Sequence, residues 1–285
     1  MNAVHALRFQ HTIKTLCRVL RVNRSTYYKH LNHKPAARTL ENQRIRSAIL
    51  EIYGKYRKRF GTQKIQQRLL VEYGISISGG RVYRLMKEMH LPKMATVKPK
   101  YFSGVADETD CPNVLQKNFA PSAPNQVWVS DITYVRVGGR FCYVCVVLDL
   151  FARTLIACRT STRPTAEFVA ETFNTAYYER GTPSGILFHS DRGSQYTSNE
   201  FRQLMDRLDV VQSFSAKAHP FDNAVIESFF RYLKHEELNR RSFNSITEVN
   251  LSLFEYAHFY NHSRPHSFNH GLTPYEKESL FYKTS

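Results

Sequence analysis

The order of apolar and polar positions divides the chain into a helical first third and a strand-rich remainder. Ile13, Leu16, Cys17 and Leu20 recur at helical spacing, and Val22-Asn23 turns into Arg24-Ser25-Thr26-Tyr27-Tyr28, which predicts two short helices over residues 12–31 with helix-turn-helix spacing. Leu40, Ile45, Ile49 and Ile52 give the inward face of a helix from Leu40 to Tyr53, without the sustained heptads of a zipper. A second hairpin follows. Ile65, Leu69 and Leu70 mark a helix over Thr62–Glu72, Gly74 breaks it, and Ser78 can cap a helix over Gly79–Met89. In that last helix Val82, Leu85 and Met86 pack, while Arg81, Arg84 and Lys87 are expected to point outward, as on a helix that enters a major groove. A plain αα-hairpin with a solvated basic face would give the same pattern.

Pro92, Pro99, Pro112, Pro121 and Pro124 sit in a stretch of little periodicity, so residues 92–124 read as a linker. Beyond it, Val127–Val137 and Arg140–Leu150 are β-rich runs joined by Gly138-Gly139, a two-residue hairpin turn, and Arg153–Ser161 completes a meander. A helix over Pro164–Arg180, a strand Gly185–His189, a helix Ser198–Leu208, a strand Val210–Phe214 and a helix from about Asn223 to Leu238 follow. The order βββαβαβα is that of a ribonuclease-H-like α/β core, here over residues 125–240. It is preceded by α-helical helix-turn-helix segments at 1–35 and 36–91. Residues 241–285 form a helical extension, with a helix over Thr247–Asn261 and a His/Arg/Pro-containing tail.

Charge sharpens this division. The chain carries a formal net +16 with a pI near 9.7. Residues 1–100 hold 22 Lys and Arg against 4 Asp and Glu, whereas residues 101–285 hold 18 against 20. Such polarity points to a polyanionic partner for the first third, and Lys58 and Arg59 in the cluster Lys55-Tyr56-Arg57-Lys58-Arg59 are candidate phosphate contacts. The basic segments read as globular helices, which disfavours a membrane surface. No stretch reaches the roughly 18 apolar residues of a membrane span and no signal-peptide core is visible, so a cytoplasmic protein is expected. The five cysteines, Cys17, Cys111, Cys142, Cys145 and Cys158, are odd in number and lie among apolar residues, which fits reduced thiols. Cys142 and Cys145 have C-x-x-C spacing, but on a strand they point to opposite faces and no second pair exists, so zinc is not expected.

Three acidic residues stand where such a core would gather them: Asp131 within the first strand, Asp191 just past the fourth, and Glu227 on the last core helix. An aspartate flanked by Trp128, Val129, Ile132 and Tyr134 is costly to bury without a partner or a metal. His189-Ser190-Asp191-Arg192-Gly193 follows an apolar strand, and open α/β sheets place ligand groups beyond strand carboxyl ends. An ordinary turn would use the same residues. Asn223, Glu227, Arg231 and Lys234 share a polar helical face beside an apolar stripe of Ile226, Phe230 and Leu233. The plain alternatives are a structural Asp131–arginine pair and a surface Glu227–Arg231 pair.

Asn125-Gln126-Val127-Trp128-Val129-Ser130-Asp131-Ile132-Thr133-Tyr134, Val147-Leu148-Asp149-Leu150-Phe151-Ala152-Arg153, His189-Ser190-Asp191-Arg192-Gly193-Ser194-Gln195-Tyr196 and Asp222-Asn223-Ala224 leading to Glu227-Ser228-Phe229-Phe230 and Lys234 carry a resemblance. With 35 residues between Asp191 and Glu227, the chain resembles the second-reading-frame transposases of bacterial insertion sequences, in the DDE transposase and retroviral-integrase superfamily. The likeness spans about Leu16 to Tyr275 and is most specific over 125–236. It implies DNA cleavage at element ends and strand transfer, with Asp131, Asp191 and Glu227 as catalytic metal ligands. Two Mg²⁺ ions would activate the attacking oxygen and neutralise the leaving one, and Mn²⁺ can substitute. Lys234 and Arg231 are then expected at the DNA end, and Asp149, His189 and Asn223 close behind the carboxylates, although Asp149 could equally cap the turn at Arg153. Asp222 is expected to cap the last core helix. The implied partners are double-stranded DNA, both element terminal repeats and target, a further copy of the chain on that DNA, and a first-reading-frame product or fusion. The histidine and cysteine pairs of the zinc-binding domain of retroviral integrases are absent. Competing readings are a non-catalytic DNA-binding regulator derived from a transposase and a ribonuclease-H-type nuclease.

Overall fold

The computed structural model describes residues 2–31, 36–92, 111–216 and 220–284. The chain forms two compact units, Met1–Lys93 and Met94–Ser285.

The first unit is helical, with α1 (Asn2–Leu7), α2 (Ile13–Val19), α3 (Arg24–Leu31), α4 (Ala37–Lys55), α5 (Thr62–Tyr73) and α6 (Gly79–Glu88). Helix α1 was not expected. It contributes Val4 to a small apolar cluster with Leu16, Cys17 and Tyr27. The Thr12 hydroxyl caps α2 by accepting from the Thr15 N–H. Helices α4, α5 and α6 pack on one another around buried Ile45, Ile49, Ile52, Ile65, Leu69, Val82 and Leu85. Helix α5 stops where Gly74 adopts φ +64°, a left-handed conformation that glycine takes without strain. Ser78 then caps α6, its hydroxyl accepting from the Arg81 N–H.

The second unit is built on a five-stranded sheet of β1 (Val127–Val137), β2 (Arg140–Asp149), β3 (Thr154–Ser161), β4 (Leu187–Ser190) and β5 (Val211–Phe214), in spatial order β3-β2-β1-β4-β5. The first three strands are antiparallel; β4 runs parallel to β1, and β5 parallel to β4. Gly138 and Gly139 turn the first hairpin at φ +52° and +83°, which a two-residue turn with positive φ at both centres requires. Helix α7 (Ala166–Glu179) and α8 (Asn199–Arg207) complete the expected βββαβαβα order together with α9 (Ala224–Glu236). Trp128, Cys145, Phe173, Phe188, Tyr196 and Phe201 form one core between sheet and helices.

Helix α10 (Ile246–His262) packs against the edge strand β3, where the Asn261 amide pairs with both backbone groups of Leu155 at 3.0 and 2.8 Å. The expected tail ends in a further helix, α11 (Pro274–Thr284). Its buried Glu278 accepts from Thr154 and from both terminal nitrogens of Arg180, so the tail is part of the fold.

The linker expected over 92–124 needs correction at its far end. Residues 93–110 lie outside the described residues, but Pro112 accepts the Phe214 N–H at 2.9 Å and the Leu115 N–H bonds Ser213 Oγ at 3.0 Å. That stretch is thus tied to the end of β5. All five cysteines are free thiols. No described helix is long and apolar enough to cross a membrane.

Candidate active site

Strand pairing dictates the meeting of the first two carboxylates. Val127, Trp128 and Val129 of β1 lie beside Leu187, Phe188 and His189 of β4 in parallel register; Asp131 comes two residues after the last pair on β1 and Asp191 two residues after it just beyond β4, near enough for their charges to interact. Glu227 is in the first turn of α9, which packs on β1. Burial raises the Asp131 carboxyl to about 7, and the charge of Asp191 adds to the effect. The Ile132 N–H, 2.7 Å from Oδ1, opposes it; Glu227 pushes up again and Lys234 pulls down. Burial likewise raises Glu227, against the nearby Arg231 guanidinium, and lowers Lys234, against Asp131. Three carboxylates and one lysine therefore share one electrostatic neighbourhood, with negative charge in excess. Among the described residues no three His, Cys, Asp or Glu side chains are gathered closely enough to hold a metal ion.

The Asp191 loop is held tightly. The Gly193 N–H donates to Asp191 Oδ1 at 3.0 Å, and a Cβ at 193 would stand 3.0 Å from that oxygen and 2.9 Å from Gln195 Oε1. The Gln195 amide donates to the Pro164 carbonyl, and the buried Tyr196 hydroxyl meets Ser130 Oγ at 2.8 Å, next to Asp131 on β1. Sequence reasoning gave Gly193, Gln195, Tyr196 and Ser130 no role beyond the motif that contains them.

Other expected residues fall differently. His189 is fully buried with Ser213 and Ser215 hydroxyls on its two ring nitrogens, and burial lowers it to about 4, so it is a neutral tie between β4 and β5. Asp149 is also fully buried, and its two oxygens accept the Asn125 and Phe151 N–H groups, which shapes the turns beside β2. Asp222 does not cap α9. It is buried and accepts from Asn113 Nδ2 and the Ala216 N–H, which fastens the loop after β5 to residues 111–117. Asn223, the N-cap residue, makes no side-chain cap bond, and its buried Oδ1 has no partner among the described residues. Arg231 is partly buried against the Tyr232 ring, bonded to Ser228 Oγ, and Lys234 Nζ lies 5.1 Å from the Tyr134 ring centroid.

In the first unit, Lys58, Arg84 and Lys87 are exposed, as expected for phosphate contacts. Arg59 is only 5 % exposed and so is removed from that set. Arg81 lies against α4 at the surface, binding both oxygens of half-exposed Glu41 and Asn42 Oδ1.

The C-terminal extension fixes α9 from behind. Arg264, 2 % exposed, binds both oxygens of buried Glu236 at 2.8 and 2.9 Å, and the Tyr256 hydroxyl adds a third bond at 3.0 Å. Within the segment Asn261-His262-Ser263-Arg264, Asn261 and Arg264 are thus committed to packing, whereas His262 is exposed.

Comparison with known proteins places this geometry. One integrase core domain family matches residues 121–220, a second matches 208–274, and a helix-turn-helix-like domain matches 40–101. The Insertion element IS600 uncharacterized 31 kDa protein of Shigella sonnei is 34% identical over 91% of this chain and 96% of its own length. The putative transposase InsK of insertion sequence element IS150 from Escherichia coli is 32% identical over 99% of both chains. This chain belongs to the transposases of IS3-type insertion elements. The transposase InsF of IS3A, also from Escherichia coli, is 32% identical over 94% of each. The HTLV-2 integrase catalytic core, solved with magnesium, aligns with 55% of this chain and 98% of its own at 15% identity, TM-score 0.42. As a transposase with an integrase core, the protein is a polynucleotidyl transferase with a ribonuclease-H-like catalytic unit and a helix-turn-helix-like region before it.

Proposed function

We propose that this transposase cuts DNA at the ends of its element and joins the freed 3′-hydroxyl to a second strand, using Asp131, Asp191 and Glu227 as the carboxylates that hold two divalent ions. The observation that supports this is the excess negative charge at Asp131, whose carboxyl sits at about 7 because burial and the Asp191 and Glu227 charges all disfavour its ionisation. A cation is the group that would relieve it, and its binding would have to draw together three carboxylates that share a neighbourhood but are not closed into a ligand cage. The donor set is all hard oxygen, which suits Mg²⁺, with Mn²⁺ taking the same ligands. When bound, such ions lower the pKa of the attacking oxygen and neutralise the leaving one.

The chain's own residues do the positioning. The Gly193 N–H orients the Asp191 carboxylate, and the Arg264–Glu236 pair holds the helix that carries Glu227. Lys234, two turns along from Glu227 and beside Asp131, is placed to bind a phosphate of the DNA end. Lys58, Arg84 and Lys87 supply cations for duplex DNA at the terminal repeats. Cleavage at two ends calls for two copies of the chain on DNA, with a first-reading-frame product as a further partner.

The test uses the full chain, a duplex carrying an element end, and Mg²⁺. Strand-joined products are expected from the wild type and none from Asp191→Asn, with DNA binding retained. Hydrolysis without joining would favour the nuclease reading, and equal joining by Asp191→Asn would remove that residue from the site.

A further inference from the structure

Strand β1 is paired with β2 along its whole length, but on its other edge β4 covers only Val127–Val129. Among the described residues, that edge receives another segment only near its end, where Val137 bridges Phe243 and the Gly138 N–H bonds the Phe243 carbonyl at 3.1 Å. Between hairpin and α9 a cleft of about 780 Å³ remains. It begins at Lys234, two turns along α9 from Glu227, and it runs to the hairpin tip.

Its lining combines two chemistries. Tyr134 and Phe141, 56 % and 46 % exposed, pair edge-to-face with ring centroids 5.0 Å apart. Around them stand the cations Lys234, Arg136 and Arg241, with Arg136 5.6 Å from the Phe141 ring, and no carboxylate lines the cleft. Arg241 is shared with Glu237 and Lys234 with the charge of Asp131, so Arg136 is the least compensated of the three. Exposed aromatic side chains serve no purpose in the core, and large rings on a hairpin cost solubility unless something covers them. Cations that track a backbone beside rings that accept a base face are the components of a single-stranded nucleic-acid path.

We propose that this cleft holds an unpaired stretch of DNA strand leaving the carboxylate site, with a base against Tyr134 and Phe141 and phosphates on Arg136 and Lys234. The direction of the strand rests on the catalytic reading above; the affinity of the cleft for unpaired DNA does not. A duplex is the wrong occupant, because its bases are stacked on each other and offer no free face to a side chain.

The experiment uses the full chain and two duplexes with the same element end, one blunt and one with a single-stranded thymidine extension. Tyr134→Ala and Phe141→Ala should each weaken binding of the extended duplex about tenfold, equivalent to about 1.4 kcal/mol, and leave the blunt duplex unchanged. Tyr134→Phe should restore the ring and the affinity, and 2-aminopurine in the extension should show quenching with wild type and Tyr134→Phe but not with Tyr134→Ala. Equal losses on both duplexes, or none on the extended one, would overturn the proposal. Asp131→Asn separates the two readings: if it is inactive while the aromatic variants bind the extension normally, the cleft assignment fails and the carboxylate site stands.

Discussion

Asp131→Asn should make the protein more stable while removing its activity. The Asp131 carboxyl ionises at about 7 in the fold, against an ordinary value of 3.8. That difference corresponds to a ceiling of about 4 kcal/mol held against the ionised form, which partial exposure reduces to about 2 kcal/mol. The sign follows from linkage. Because the folded value lies above the unfolded one, the native state binds the extra proton between about pH 4 and 7, so stability falls as pH rises through that window and the full cost is present above it. Asparagine keeps an acceptor for the Ile132 N–H and carries no charge. In chelator at about pH 8, Asp131→Asn should therefore melt roughly 4–8 °C above wild type, and the difference should vanish as pH falls toward about 4. Added Mg²⁺ should raise the wild-type melting temperature and leave the variant's unchanged, since only a ligand-binding native state is stabilised by mass action. A variant that melts below wild type in chelator at high pH would show Asp131 to be a structural carboxylate, and the reasoning would fail.

Three further outcomes follow from packing. Gly193→Ala should fold normally but lower strand cleavage more than about tenfold in a gel assay, because its Cβ would press on the Asp191 carboxylate that the Gly193 N–H now orients. Arg264→Ala should cost about 3–5 kcal/mol in urea unfolding by leaving the buried Glu236 charge without its cation, and Arg264→Lys should recover only part, since it cannot form both bonds. Arg84→Ala and Lys87→Ala should weaken DNA binding and flatten its salt dependence in a mobility-shift titration, whereas Arg81→Ala, which removes a contact to α4, should leave the salt slope unchanged.

Local rules made much of this legible in the sequence. Gly138-Gly139 demanded a hairpin because both residues need positive φ, and that hairpin sets the register that carries Asp131. Ser78 and Gly74 marked helix ends through their own backbone chemistry. What the sequence concealed are pairings between distant residues. Nothing near Arg81 announces that Glu41 will take its guanidinium, nor does anything near Asp222 announce Asn113. Such groups look free in one dimension and are committed in three. Helix α11 escaped notice for a related reason: its anchor is the polar Glu278, so it lacks the apolar repeat that betrays a packed helix. The proximity of Asp131 and Asp191 likewise needs the β1–β4 pairing, which spans some sixty residues of chain, and the cleft at Tyr134 needs the segment at Phe243 to dock on the hairpin.

The central claim is that Asp131, Asp191 and Glu227 work as one metal-holding set, and the most direct measurement is strand cleavage and joining by Glu227→Gln. Glutamine keeps the size and one carbonyl oxygen but removes the charge. With element-end duplex in Mg²⁺, the variant should bind DNA as the wild type does and yield neither cut nor joined strands. Cleavage and joining at the wild-type rate would mean that Glu227 is no metal ligand and would contradict the account.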